Sequence, residues 1–268
     1  MRAAASDKIA PMHSQRHARL HLLLGDAGLA RLGHSKVLVL GLGGVGSACA
    51  EALARGGVGT LIVLDRDVVE ESNINRQAVA YVSTLGQPKA EVMTNLIHDI
   101  NPDAAVHAHQ VFLTPDNVEG VLDGLPRPDY VVDCIDTISQ KLAVAHWCAS
   151  RGLPLLASMG AANRFDPSKL VLTDLRKTEI CQMAKVMRVE AKKHRIKGIE
   201  VLYSTEIPAK LGGRTKGESL GSMSYMPPIM GMMLAGAVIR RLSGVEPMPR
   251  PPRLYRSKEE ALAEAAIS

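Results

Sequence analysis

The sequence is poor in aromatic residues, in cysteine and in long apolar runs, and each scarcity excludes something. Phe, Trp and Tyr make up 3% of its 268 residues, which argues against a nucleic-acid surface built on stacked aromatic platforms. Four cysteines, Cys49, Cys134, Cys148 and Cys181, are scattered without a Cys-x-x-Cys pair. A disulfide framework and a tetrahedral zinc-thiolate site are therefore both poor fits. The longest near-apolar run, residues 226–239, is shorter than the roughly 18–20 residues a bilayer span needs. Residues 1–19 carry no apolar segment behind their basic residues and do not read as a secretory signal. What is present is an ordinary globular composition, 46% hydrophobic and 22% charged, in a length suited to one large domain or two small ones. Thirty-two Lys and Arg against 27 Asp and Glu give a charge of +5, which permits an anionic partner without requiring one.

From Lys36 onward, strand and helix patterns alternate. Val37 to Leu40 is a buried-strand run that ends in glycines, Ala48 to Arg55 reads as a helix, and Thr60 to Leu64 as a second strand. Lys89 to Ile100 is amphipathic and stops before Pro102, because the residue preceding a proline is pushed away from helical angles. Ala104 to Val111 is a weaker strand, and Thr114-Pro115 reads as an N-cap with proline at the first helical position. Tyr130 to Cys134 is a buried strand, followed by a helix over Leu142 to Ala149 and a strand over Leu153 to Ala157. This alternation predicts an α/β fold, a mostly parallel sheet with helices on both faces. After Gly160 the rhythm loosens. Strands are expected at Lys169 to Leu175 and Ile199 to Tyr203, and a charged helix at Ala184 to His194. A basic glycine-rich loop follows at Leu211 to Gly221, then an apolar helix at Ser224 to Leu242, which reads as a core or dimer-contact helix and at most a peripheral membrane contact. The expected organisation is an arm over 1–19, one domain over 20–244 (nucleotide half 36–160, elaborated half 161–244), and a polar tail over 245–268 behind a proline-rich linker.

Gly41-Leu42-Gly43-Gly44-Val45-Gly46 matches G-x-G-x-x-G between a strand and a helix. Glycine is needed there because side chains would block the tight turn and keep the backbone away from phosphates, while the following helix offers unpaired N–H groups to an anion. Asp65 lies 19 residues past Gly46 at the end of the second strand, where an acidic residue accepts hydrogen bonds from a ribose. This Rossmann-like pattern alone does not separate NAD, FAD and ATP.

The next segment does. Asp67, Asn73, Arg76 and Gln77 follow the ribose acid, and Pro88-Lys89 opens the next helix. Cations aimed past the ribose suit the cleavage of a triphosphate, where charge builds on phosphoryl oxygens. Asp133-Cys134-Ile135-Asp136 ends a strand at the ligand-binding edge of the sheet, and a carboxylate there could hold Mg²⁺ on the phosphates.

Together these motifs resemble the ubiquitin-activating-enzyme-like superfamily of adenylating enzymes. The resemblance implies that Asp65 holds the ribose, that Asn73, Arg76 and Lys89 contact the triphosphate of ATP, and that Asp136 coordinates Mg²⁺. It further implies a two-fold homodimer in which Arg16 reaches into the partner's site. The second half is similar to the tRNA threonylcarbamoyladenosine dehydratases at Thr114–Asn117, Asp174–Thr178, Tyr203–Glu206, Leu220–Ser222 and Pro227–Gly231. That likeness implies a cytoplasmic enzyme that uses ATP to cyclise a modified adenosine beside the tRNA anticodon, with sulfur-donor or redox proteins as further partners. The alternative is activation of a ubiquitin-like sulfur-carrier protein. Many carrier activators use a nucleophilic cysteine; here the late Cys181 reads more simply as an apolar filler at a helix start. The basic run Lys185, Arg188, Lys192, Lys193, His194, Arg195 and Lys197, with Lys210, Arg214, Lys216, Arg240 and Arg241, is read as a phosphate-contacting surface, against the plainer reading of a solvated helix face.

Overall fold

Residues 15–210 and 220–255 are described in the computed structural model. Parallel strands covered by helices on both faces read as continuous apolar runs. Val37, Leu38, Val39 and Leu40 meet that condition, each fully buried in β1 (Lys36–Leu40). The other strands are β2 (Thr60–Asp65), β3 (Ala105–Gln110), β4 (Tyr130–Asp133), β5 (Leu155–Ser158), β6 (Leu170–Asp174), β7 (Ile196–Lys197), β8 (Glu200–Ser204) and β9 (Arg253–Leu254). Seven of them form one sheet in the order β3-β2-β1-β4-β5-β8-β6, parallel throughout except that β6 runs antiparallel to β8. Strand order reverses between β1 and β4, where Val37 pairs with Leu61 on one side and Tyr130 on the other. A crevice opens beyond the carboxyl ends of strands at such a switch point.

Successive strand side chains face opposite sides of the sheet. Val37, Val39, Leu61 and Val63 join one core, packed by α2 (Gly44–Arg55), α3 (Lys89–Ile100) and α7 (Met226–Leu242). Leu38, Leu40, Ile62 and Leu64 join the other, packed by α4 (Val118–Asp123), α5 (Ile138–Arg151) and α6 (Gln182–Lys193). A further helix, α1 (Ala18–His34), bends at Gly25, whose φ is +62°. The methionine-rich α7 is a core element. Met226, Met230, Leu234 and Val238 recur every four residues on its buried face, and no described helix is long and apolar enough to cross a membrane. It lies so close to α2 that a Cβ on Gly231 would stand 2.2 Å from the Val45 carbonyl oxygen.

Local structure differs from expectation in three informative places. α2 begins at Gly44, not Ala48, because the glycine loop itself forms the first helical turn. The helix expected at Pro115 begins at Val118. Thr114 and Asn117 exchange hydrogen bonds (Thr114 N to Asn117 Oδ1, 2.7 Å; Asn117 N to Thr114 Oγ1, 3.3 Å) and close a turn ahead of it. The proline-rich linker does not simply lead away. It returns as β9, which pairs with β7 (Ile196 opposite Leu254), and Lys197 Nζ sits 3.4 Å from the Tyr255 ring centre. The arm before residue 15, Arg214 and Lys216 of the basic loop, and the tail beyond residue 255 lie outside the described residues.

Candidate active site: a cleft at the switch point

A cleft of about 720 Å³ opens beyond the carboxyl ends of the strands. It is lined by Gly41, Gly43, Gly44, Asp65, Asp67, Asn73, Arg76, Gln77, Lys89 and Asp136, which is every residue expected from the sequence to hold nucleotide except Gly46. Gly46 works from behind. A Cβ there would lie 1.7 Å from the Gly41 carbonyl oxygen, so its role is to let helix and strand touch. Gly41 takes a φ of +83°, a conformation that favours glycine. Gly44 would clash with Pro227 of α7 at 2.8 Å, whereas a Cβ on Gly43 would meet nothing nearer than 4.0 Å. Gly43 is thus the glycine whose bareness keeps the cleft open. The first N–H groups of α2 have no side-chain cap, which leaves them for an anion.

The acidic and cationic side chains are held by one another. Asp65 accepts from Leu42 N at 2.5 Å and from Asp67 N at 2.8 Å, so the expected ribose acid also clamps the glycine loop. Asp67 Oδ2 lies 3.3 Å from Lys89 Nζ, which orients a lysine that is only 5% exposed. Asn73, also buried, accepts from Glu70 N at 3.2 Å. Arg76 uses Nη1 on Ser72 O (2.9 Å) and Asn75 Oδ1 (2.8 Å) and has no ion pair with a described carboxylate. Gln77 Oε1 is buried without a hydrogen-bond partner among the described residues. An unpaired buried acceptor is costly, so a ligand donor at that point is favourable.

Asp133 and Asp136, equivalent in the sequence, part company here. Asp133 is fully buried, 3.0 Å from Lys141 Nζ, and accepts from Ile135 N. Lys141, itself fully buried, also donates to Ile135 O at 2.9 Å and so ties down the turn that carries Asp136. Asp136 is exposed in the cleft, with Thr137 Oγ1 donating to it at 3.3 Å. No cluster of three or more His, Cys, Asp or Glu that could hold a metal occurs among the described residues. The exposed Asp136 carboxylate beside a phosphate cradle fits a magnesium ion held largely by its ligand's phosphates. Cys134 lines the same wall, but burial pushes its thiol up to about 12, so it is not a thiolate at neutral pH. Cys181 is 3% exposed in the core at the start of α6, a filler's position.

Other expected residues stand elsewhere. Arg16 binds Asn101 Oδ1 (3.1 Å) and Asp103 Oδ2 (3.0 Å) of its own chain, just ahead of β3 and hence at the sheet edge opposite the cleft. The basic surface is smaller than the sequence suggests. Arg241 is buried in a two-pronged pair with Glu200 (2.7 and 2.8 Å) and a bond to Tyr130 Oη. Arg240 pairs with Glu246, Lys193 with Glu190, and Arg188 with the Thr178 carbonyl and hydroxyl. The sequence reading missed Arg66, whose guanidinium lies 4.4 Å over the Phe112 ring, and also Gln140, Ser158 and Leu220 on the cleft wall. Phe112 and Ser158 could have been found from their places at strand ends. Leu220 belongs to the Leu220–Ser222 motif noted in the sequence, but its place on the cleft wall comes from tertiary packing.

The sequence pattern of the ThiF family matches residues 14–264. The chain belongs to the ThiF family. Within that family, the tRNA threonylcarbamoyladenosine dehydratase of Bacillus subtilis (strain 168) is 40% identical over 240 residues, 84% of this chain and 93% of that protein. The crystal structure of the Escherichia coli tRNA N6-threonylcarbamoyladenosine dehydratase, TcdA, in complex with ATP has a TM-score of 0.81 at 31% identity, covering 88% of this chain and 97% of that one. Its complex with AMP gives 0.80 at 30% identity, covering 91% and 98%. The sulfur carrier protein ThiS adenylyltransferase of Escherichia coli (strain K12) is 35% identical over 155 residues, 57% of this chain and 60% of that protein.

Proposed function

We propose that this ThiF-family chain is an ATP-dependent tRNA threonylcarbamoyladenosine dehydratase. The observation that carries the reading is a phosphate cradle in which Arg76 and Lys89 share one cleft with the exposed Asp136 carboxylate, in a chain similar over most of its length to such enzymes and whose cleft-lining cysteine, Cys134, has its thiol pushed up to about 12 by burial. The α2 N-terminus, Asn73, Arg76 and Lys89 bind the triphosphate of ATP, and Asp65 binds the ribose. Asp136 would hold Mg²⁺, which would supply charge neutralisation on the phosphates.

A carboxylate is a poor electrophile. Its oxygen attacks the α-phosphorus, pyrophosphate leaves, and the acyl-adenylate carries a good leaving group. A nitrogen of the same modification then attacks the acyl carbon. AMP leaves, a proton passes to solvent, and a hydantoin ring has closed with net loss of water from the nucleoside. The internal nucleophile is already held at high effective concentration, so no enzymic thiol is needed. The enzyme acts in the cytoplasm as a two-fold dimer, with Arg16 leaving its intrachain partners to complete the partner's site. Mass spectrometry of tRNA nucleosides after incubation with enzyme, Mg²⁺ and ATP tests the reading: the modified adenosine should lose one water and AMP should appear. AMP formed only with a carrier protein ending in Gly-Gly would favour carrier activation instead.

A further inference from the structure

The chain has only two phenylalanines, and both are exposed, Phe112 at 46% and Phe165 at 51%. Phenylalanine is normally among the residues most often buried. Phe112 is covered by Arg66 inside the nucleotide cleft, but Phe165 has no such assignment. It follows Ala161 and Ala162 of the cleft wall within about 10 Å of extended chain.

Its backbone is held with unusual thoroughness. Phe165 N donates to both oxygens of Glu206 at 3.0 Å, and Tyr225 Oη donates to Phe165 O at 2.9 Å. Glu206 is braced in turn by Arg164, a side chain 3% exposed whose Nη1 donates to Glu206 O at 2.8 Å. An arginine is thus buried to fix the loop beneath a ring that faces solvent. Two exposed lysines stand on the segments bonded to this loop. Lys169 accepts through its carbonyl from Thr205 N, and Lys210 follows Ala209, whose N–H donates to Asn163 O. The nearby Asp166 carboxylate is occupied by Ser168.

A rigid exposed aromatic, with exposed lysines on the segments bonded to its loop, is an arrangement that can receive an unstacked base and its phosphates. We propose that Phe165 is a stacking seat for a nucleobase next to the modified adenosine, positioned by Glu206 and Tyr225, with Lys169 and Lys210 on the adjoining phosphates. The inference rests on the proposed function. A modified adenosine can enter the cleft only if its neighbours in the anticodon loop unstack, and a protein ring can replace the stacking they give up.

The test uses the full chain and an anticodon stem-loop carrying 2-aminopurine beside the modified adenosine, whose fluorescence falls on stacking. Phe165→Ala should weaken binding about tenfold and abolish the quench. ATP affinity should stay unchanged, and Phe165→Trp should restore both binding and quench. If wild-type protein cyclises the substrate while Phe165→Ala binds and quenches like wild type, the stacking seat is wrong and the functional reading stands. If wild-type protein neither binds nor cyclises the modified RNA, both fall.

Discussion

The two halves of the molecule spend their cations differently. In the nucleotide half, Arg76 and Lys89 face the cleft, and the groups that touch them orient them toward it. In the second half, Arg241, Arg240, Arg188 and Lys193 turn toward the protein's own acceptors. A cation named by its place in a motif beside the glycine turn reaches the cleft, because the backbone geometry of that loop fixes where it points. A cation named only for standing in a basic run carries no such direction: Lys193 and Arg240 are taken by nearby glutamates, and Arg241 by a distant one. Arg241 and Glu200 are 41 residues apart.

Substitutions distinguish the buried, paired cations from those that line the cleft. The largest effect is expected from Lys141→Met, which leaves Asp133 buried and uncompensated and should cost about 3–5 kcal/mol, read from chemical denaturation. Wild-type stability in that variant would mean that the turn carrying Asp136 is not held as described. Arg76→Ala should reduce AMP formation by about 10²–10³-fold with the fold intact, because charge stabilisation in the transition state is removed. Turnover near wild type would detach Arg76 from the chemistry. Gly231→Ala forces a Cβ against the Val45 carbonyl and should cost about 1–3 kcal/mol, seen as a lower unfolding temperature. Arg241→Met should cost roughly 2 kcal/mol by removing charged hydrogen bonds, and the salt dependence of tRNA binding should not change. The smallest effect is expected from Lys192, Lys193 and Arg195 changed together to Ala, which should lower the salt slope of tRNA binding by about one at most, since Lys193 is already paired with Glu190. An unchanged slope would make that run a solvated face.

Much of the fold was legible because strand periodicity and glycine turns are local. The runs at Val37, Thr60 and Tyr130 became β1, β2 and β4, and the G-x-G-x-x-G turn lies where the strand order reverses. The cleft was legible to the same extent, since Asp65 closes β2, Arg76 lies in the loop between β2 and α3, Lys89 opens α3 and Asp136 follows β4. What stayed hidden depended on pairing across the chain. Asp133 and Asp136 look alike until Lys141 claims the first, and the proline-rich stretch looks like a linker until Leu254 finds Ile196. Phe165 gave no signal, because the Glu206 that holds its backbone stands 41 residues away.

The central claim is tested most directly by supplying purified protein with ATP, Mg²⁺ and tRNA bearing threonylcarbamoyladenosine, then measuring AMP and the digested nucleosides together. The account predicts one AMP for each nucleoside that loses water, with neither product when ATP is withheld. AMP without any change in the nucleoside, or dehydration without AMP, would contradict it.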